Sequence, residues 1–271
     1  MKKYAVIGSP ISHSRSPSIH SIFGKTVGLE IQYDAIEVVQ ENFEAAVKNL
    51  FYNQGYEGLN VTLPLKELAY HFALKRSDIC SLTKAANTLW LDNEEFIADT
   101  TDGKGLVADI ESKGIDLKGS SLLILGAGGS AKSVLPSLLE QRPDSIKIIN
   151  RTFEKAGNLA TLHKDHECSV TAGNLREELD KNFDGVINTT SAGVLNEEII
   201  YPNNLFATSS WFYDLNYSDA DTPFNHEAKL NGCVEVFDGL GMLFRQAAFS
   251  FEIWTGLAPN VEEAMDILSK K

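Results

Sequence analysis

Cysteine is scarce in this chain. Cys80, Cys168 and Cys233 are its three, widely spaced and outside any CxxC pair, which argues against a disulfide framework and a thiolate zinc site. Long apolar runs are missing as well, and none reaches the length of a membrane span. The first residues, Met1–Gly8, lack the apolar stretch and small-residue cleavage site of a signal peptide and read as a strand and a turn, so the cytoplasm is the expected location. Positive charge is short: 24 Lys and Arg stand against 37 Asp and Glu, a formal charge of −13. That balance argues against nucleic acid or an anionic membrane as a partner. It also means that an anionic ligand must be held by a few local donors. His163 and His166 stand three apart with no third ligand nearby and read as a solvated surface pair, so no metal is expected. Internal repeats and low-complexity segments are absent.

What the chain does have is the composition of a globular protein, 43% hydrophobic and 23% charged over 271 residues, a length that suits two compact lobes. Strand-like runs alternate with helical patterns, the signature of α/β architecture with mostly parallel sheets. Strands are predicted at Tyr4–Gly8, Gln32–Val38 and Glu57–Val61, with helices at Pro17–Val27 and Glu41–Phe51. A hairpin follows at Asn87–Leu91 and Glu95–Ala98. The pattern restarts near Lys104, with a helix at Gly105–Lys113 and strands at Ser120–Leu125, Ser145–Ile149, Gly185–Asn188, Ser210–Asp214 and Val234–Phe237. A late helix at Met242–Thr255 and a second from Asn260 suggest one lobe inserted into another, with residues 1–103 and 239–271 flanking 104–238.

The strongest single motif is Gly126-Ala127-Gly128-Gly129-Ser130-Ala131, directly after a predicted strand. It fits GxGxxG/A: Gly126 for the tight turn, Gly128 for close approach of a pyrophosphate, and Ala131 for helix–strand packing. A glycine turn without a ligand is the alternative. The next strand ends in Ile149-Asn150-Arg151-Thr152, with no carboxylate to hold ribose hydroxyls. A guanidinium stands where a 2′-phosphate would sit, with Asn150 and Thr152 as neutral donors, which favours NADP over NAD. Pairing of Arg151 with Glu154 is the bland alternative. The GK[ST] of a nucleotide hydrolase does not follow these glycines.

Four polar clusters fall at strand ends, where open α/β sheets bind ligands. In Ser12-His13-Ser14-Arg15-Ser16-Pro17, Ser16 suits a helix N-cap and Pro17 the first helical position. Ser14 has no such role and suits a carboxylate ligand. In Asn60-Val61-Thr62-Leu63-Pro64-Leu65-Lys66, Pro64 marks a helix start and puts Lys66 in the first turn. The macrodipole disfavours a cation there, so the place is poor for a decorative lysine and useful for a general acid, a solvated lysine being the alternative. Ala86-Asn87-Thr88 sets a polar pair in an apolar strand. Thr100-Thr101-Asp102-Gly103 offers an aspartate that could simply cap the following helix.

Taken in order, these motifs resemble the shikimate dehydrogenase family over Val6–Gly256. Gly8–Pro17, Asn60–Lys66, Ala86–Thr88, Thr101–Gly103, Gly126–Gly129, Asn150–Thr152, Asn188–Gly193, Asp214–Tyr217 and Gly239–Ala247 carry the likeness. The resemblance implies a two-domain α/β fold with a Rossmann-like NADP domain set between segments of a substrate domain. It implies reversible NADPH-dependent reduction of 3-dehydroshikimate to shikimate, a step of chorismate and aromatic amino acid biosynthesis, in a monomer or homodimer. Lys66 and Asp102 would be the catalytic pair. With them, Ser14, Ser16, Thr62, Asn87, Tyr217 and Gln246 would hold the substrate. Gly126, Ala127, Gly128, Gly129, Ser130, Ala131, Asn150, Arg151 and Thr152 would hold the phosphates and ribose of the cofactor. Thr189, Ser191 and Leu215 would join that set, with Gly239 and Met242 by the nicotinamide. Four departures stand out: Thr100 in place of the family's asparagine, Lys84 for a glycine, Asp219 for a proline and Ser130 for an alanine. A shikimate/quinate enzyme with broader cofactor use is the nearer alternative. A non-catalytic NADP sensor is the farther one, and it has no need of a proton donor.

Overall fold

The computed structural model describes residues 1–176, 179, 182–190, 200–202, 204–207 and 209–270. They form two compact units, Met1–Gly105 with Leu243–Lys271, and Leu106–Met242.

The first unit opens with β1 (Lys2–Gly8), α1 (Ser16–Thr26), β2 (Ile31–Glu37), α2 (Phe43–Gln54) and β3 (Tyr56–Val61). Then come α3 (Lys66–Phe72), β4 (Lys75–Arg76), α4 (Asp78–Thr83), β5 (Thr88–Asp92), β6 (Glu95–Asp99) and the first residues of α5 (Asp102–Ser112), whose remainder belongs to the second unit. The sheet order is β2-β1-β3-β5-β6-β4. β1 pairs in parallel with β2 and β3, while β5 runs antiparallel to both β3 and β6. Tyr4-Ala5-Val6-Ile7 is buried along its whole length, and a strand covered on both faces needs such an unbroken apolar run. Ala5 and Ile7 join one core with Val47, Leu50 and Leu59, whereas Tyr4 and Val6 face the other way with Ile11 and Tyr33. α2 buries Phe43, Val47, Leu50 and Phe51, a helical stripe closed by left-handed Gly55. Each such side chain contributes about 1.5–3 kcal/mol by leaving water. The order β2-β1-β3 puts a switch point at the carboxyl ends of β1 and β3.

The second unit contains β7 (Ser121–Leu125), α6 (Gly129–Glu140), β8 (Ser145–Asn150), α7 (Phe153–Thr161), β9 (Ser169–Asn174) and β10 (Phe183–Asn188). It continues with β11 (Ser209–Asp214), α8 (Pro223–Leu230) and β12 (Glu235–Phe237). Its sheet, β12-β11-β10-β7-β8-β9, is parallel throughout. This is the doubly wound Rossmann order, with its switch point between β7 and β10. The chain then runs through α9 (Leu240–Thr255) and α10 (Val261–Ser269). The expected α/β class, with mostly parallel sheets and a Rossmann-like unit, is what the structure has. β9 escaped the sequence reading because, as an edge strand, it alternates exposed and half-buried positions and lacks an apolar run. β4 and α4 are two and six residues long, too short for periodicity to register.

Candidate active site

In the first unit the chain leaves β3 at Val61 and turns through Thr62 and a cis Leu63–Pro64 bond before α3 begins. Contrary to the expectation from sequence, Pro64 does not open the helix. Lys66 itself is its first residue, with Leu65 at the N-cap. The Lys66 side chain is 25% exposed, and its Nζ lies 2.6 Å from Oδ2 of Asp102, whose side chain is 9% exposed. Asp102 is the first residue of α5. Its carboxylate goes to Lys66 and Asn87 rather than to a helix cap, as the bland reading of this aspartate had it. Two groups 36 residues apart thus form a short charge-assisted pair that solvent still reaches on the lysine side.

Asn87 stands directly before β5 and is buried. The backbone N–H of Thr101, which can only donate, points at Asn87 Oδ1 at 2.9 Å. That contact fixes which end of the amide is oxygen. The amide nitrogen then faces Asp102 Oδ1 at 2.9 Å and Thr101 Oγ1 at 2.8 Å. Asp102 accordingly accepts from an ammonium on one oxygen and an amide on the other. Gln246 Oε1 lies 3.1 Å from the same Asn87 nitrogen, and its backbone carbonyl accepts from Thr101 Oγ1 at 2.9 Å. Gly105 makes this approach possible: a Cβ there would lie 2.7 Å from that of Gln246. Thr62, Lys66, Asn87, Asp102 and Gln246 all sit in this unit, and the last four are linked to one another.

The serines after β1 differ in detail from expectation. Arg15, already helical in backbone, occupies the N-cap; Ser16 and Pro17 are the first two helical residues, and the N-cap residue's own side chain does not cap the helix. Ser14 Oγ accepts the N–H of Ser16 at 3.3 Å, so this hydroxyl does have a local structural role. Ser16 is buried and Ser14 is partly exposed. Two of the departures acquire physical meaning. Lys84 is the C-cap of α4 at φ +55°, left-handed backbone that a glycine adopts without strain. Thr100 is buried and its hydroxyl has no hydrogen-bond partner.

In the second unit Gly126 directly follows β7 at φ +104°, where a Cβ would also lie 2.6 Å from Thr189 Oγ1. Only glycine meets both conditions. Thr189 ties β10 to β7, its N–H and its hydroxyl each 2.8 Å from the Leu125 carbonyl. Gly128 is the N-cap of α6, and nothing lies within 4 Å of a Cβ built on Gly128 or Gly129. The start of α6 therefore presents open space beside oriented N–H groups. Ala127 and Ala131 are buried, and Ser130 is exposed in the first helical turn. At the end of β8, Arg151 and Thr152 are exposed, and Asn150 Nδ2 spans the turn to the Thr152 carbonyl at 2.9 Å. One amide proton of Asn150 is thus committed to holding the loop. Gly239 packs so tightly on Leu215 that a Cβ would lie 2.0 Å from the Leu215 carbonyl oxygen, and Met242 packs on the apolar core. Tyr217 follows β11 and is partly exposed; Ser191 lies outside the described residues. The open glycine turn, the exposed guanidinium and the missing carboxylate after β8 fit a dinucleotide carrying a 2′-phosphate.

Sequence reasoning passed over Ser250 and Asp109, and it quoted Asn60, Thr88 and Asp214 within motifs without giving them a role of their own. Asn60, Thr88 and Ser250 are buried behind Asn87, and Asp109 is buried with its Oδ2 2.8 Å from the Tyr213 hydroxyl. Asp214 accepts from Asn188, Asn216 and Thr222 at the carboxyl ends of β10 and β11. Burial raises its carboxyl above the usual range, and those donors oppose the shift. The available signal was a single polar residue inside an apolar strand or helix, which sequence periodicity cannot tell from a solvent-facing position. Among the described residues no cluster of His, Cys, Asp and Glu could hold a metal ion. His166 has a structural job, its Nδ1 accepting the Cys168 N–H at 3.1 Å.

Three family models match the chain: the shikimate dehydrogenase substrate binding domain over residues 6–89, shikimate/quinate 5-dehydrogenase over 106–206, and the shikimate 5′-dehydrogenase C-terminal domain over 239–268. A shikimate dehydrogenase (NADP(+)) of Vibrio cholerae is 42% identical over 269 residues, covering 99% of this chain and 96% of the relative. The crystal structure of an Ael1 enzyme from Pseudomonas putida superposes with a TM-score of 0.92 at 34% identity, covering 99% of this chain and 98% of the other. A shikimate 5-dehydrogenase from Thermus thermophilus, solved with NADP(H) and shikimate, gives a TM-score of 0.85 at 29% identity, with 98% of each chain covered.

Proposed function

This chain belongs to the shikimate dehydrogenase family and is an NADP-dependent oxidoreductase that reversibly reduces 3-dehydroshikimate to shikimate; we propose that Lys66 and Asp102 are its catalytic pair. The observation that carries this reading is the 2.6 Å contact between Lys66 Nζ and Asp102 Oδ2 beside the switch point of the first sheet. NADPH, when bound, supplies the hydride that the carbonyl carbon accepts. As the carbonyl oxygen gains charge, the Lys66 ammonium donates a proton to it, and in the reverse direction the amine takes that proton back. Asp102 orients the ammonium and supports its charge, while Asn87 keeps the carboxylate aimed.

Ser14 and Ser16 hold the substrate carboxylate by neutral hydrogen bonds. Thr62, Asn87, Asp102, Tyr217 and Gln246 take the ring hydroxyls and exclude water. In the second unit the backbone from Gly126 to Ala131 and the start of α6 hold the pyrophosphate, with Thr189, Ser191 and Leu215 completing the lining. Arg151, with Asn150 and Thr152, holds the 2′-phosphate. Gly239 and Met242 flank the nicotinamide. These few donors are how a chain of charge −13 binds two anions. Residues 1–103 with 239–271 serve the substrate, and 104–238 serve the cofactor. The setting we propose is the cytoplasm, as monomer or homodimer; among the described residues no helix is long and apolar enough to cross a membrane.

The test follows NADPH absorbance with 3-dehydroshikimate in one direction, and NADP or NAD with shikimate or quinate in the other. Turnover of shikimate with NADP well above quinate or NAD is the expected result. Equal turnover of quinate with NAD would move the chain to the broader shikimate/quinate activity.

A further inference from the structure

Among the described residues Asp102 has two hydrogen-bond donors, Lys66 and Asn87. Whatever holds the Asn87 amide therefore holds the catalytic carboxylate, and proton counting shows what that is. Asn87 Oδ1 can only accept, so Thr88 Oγ1, 2.8 Å away, must donate to it. A hydroxyl has one proton. With that proton spent, Thr88 Oγ1 must accept from Ser250 Oγ at 2.7 Å. Ser250 has then used its own proton and accepts from Asn60 Nδ2 at 2.9 Å. Asn60 Oδ1 in turn accepts from the Tyr33 hydroxyl at 2.7 Å. Ser250 Oγ also lies 3.2 Å from the Gln246 carbonyl, and the shorter 2.7 Å contact gives its proton to Thr88, so that every bond of the chain points toward Asp102.

The remaining protons agree. Thr101 Oγ1 donates to the Gln246 carbonyl and accepts the second Asn87 amide proton, while Asn60 gives its other proton to the Asn87 carbonyl at 3.1 Å. Tyr33, Asn60, Thr88 and Ser250 are all buried, Thr88 and Ser250 completely. Burial pushes the Tyr33 phenol well above its ordinary range, so the head of the chain stays a donor. Oriented chains of this kind polarise one another in a water-poor interior.

We infer that Thr88 and Ser250 are positioning residues: through an oriented chain from Tyr33 they lock the Asn87 amide with its nitrogen toward Asp102, and so hold that carboxylate in line with Lys66. This rests on Lys66 and Asp102 being the catalytic pair. None of the chain's inner members needs to touch substrate. Its loss is felt in the chemical step rather than in cofactor binding.

The experiment measures single-turnover NADPH oxidation with 3-dehydroshikimate, which product release does not mask. Thr88→Val keeps the shape and removes the hydroxyl; it is expected to slow the single-turnover rate roughly tenfold while NADPH affinity stays within about twofold. Thr88→Ser restores the hydroxyl and should return the rate to within about threefold of wild type. Ser250→Ala should slow the step on its own but add little in the Thr88→Val background, because both act through one chain. A Thr88→Val enzyme that folds and reacts at the wild-type rate overturns the inference, as does a rate loss that Thr88→Ser fails to restore. If Thr88→Val does not fold, Ser250→Ala decides alone, and an unchanged rate sinks the idea. Lys66→Ala is run beside them: if it stays active, the catalytic pair itself is wrong. If it is inactive while Thr88→Val is unimpaired, the pair stands and only the positioning role falls.

Discussion

Replacing Lys66 with alanine removes a cation whose Nζ sits 2.6 Å from Asp102 and whose side chain is still 25% exposed. The two facts predict different sizes for two different effects. Because solvent reaches the pair, its loss costs about 1 kcal/mol or less of stability, and Asp102 keeps its bond from Asn87. The variant should fold. Catalysis loses its proton donor, and a positioned general acid contributes about 10²–10⁴-fold. Turnover should fall by on the order of a hundredfold or more, which is about 2.7 kcal/mol or more of barrier at 1.36 kcal/mol per decade. The groups assigned to the carboxylate and to the remaining hydroxyls are untouched, so shikimate binding should stay within about threefold. Initial rates with NADPH and 3-dehydroshikimate, a shikimate titration by calorimetry and a melting curve separate the three quantities. Turnover within about fivefold of wild type in a folded variant would remove Lys66 from the mechanism, because no general acid is lost so cheaply.

Arg151→Ala should weaken NADPH by about tenfold or more and leave NADH nearly unchanged, since a guanidinium–phosphate pair is what it removes; an unchanged preference between the two cofactors refutes the 2′-phosphate role. His20 is fully buried and stacked on Tyr33, with no hydrogen bond at either nitrogen. Burial pushes its imidazole down to about 3, and the neighbouring Asn60 offsets only part of that. The folded value lies below the ordinary value of about 6.5, so the unfolded chain binds the extra proton. Stability is therefore lost as pH falls from about 6.5 toward 3, by up to about 1.4 kcal/mol per pH unit, and His20→Phe should flatten that limb of the urea midpoint against pH; an equally steep limb in the variant contradicts the assignment. Lys84→Gly should gain about 0.5 kcal/mol in urea unfolding by relieving φ +55°, and a net loss would mean that the Lys84 contact with the Tyr70 hydroxyl at 3.1 Å outweighs the backbone. Thr100→Val, which removes a buried hydroxyl without a partner, should be neutral or stabilising by up to about 1 kcal/mol, and a clear drop in melting temperature would show that the hydroxyl is satisfied in solution.

How legible each part was depended on how local its cause is. The Gly126 turn was readable because a left-handed glycine between a strand and a helix is specified by neighbours in sequence. The first strand was readable because Tyr4–Ile7 must be apolar on both faces. Lys66 was placed correctly in the first turn of its helix though for the wrong reason, since the helix starts two residues after Pro64. Ser16 was misread as a cap because an N-cap and a first helical residue look alike in sequence when proline follows. β9 was missed because an edge strand buries too little to need an apolar run.

By itself the sequence determined the α/β class, the glycine turn after β7, the NADP cofactor and the family, because glycine geometry, apolar runs and ordered motifs are properties of short segments. Tertiary structure alone decided that Lys66 meets Asp102, that Asn87 has only one workable orientation, and that Thr88, Ser250 and Asn60 stand behind it. Those contacts join residues up to 190 apart in the chain. A hydrogen bond is decided by distances of a few tenths of an ångström, which tertiary packing sets and no local pattern encodes.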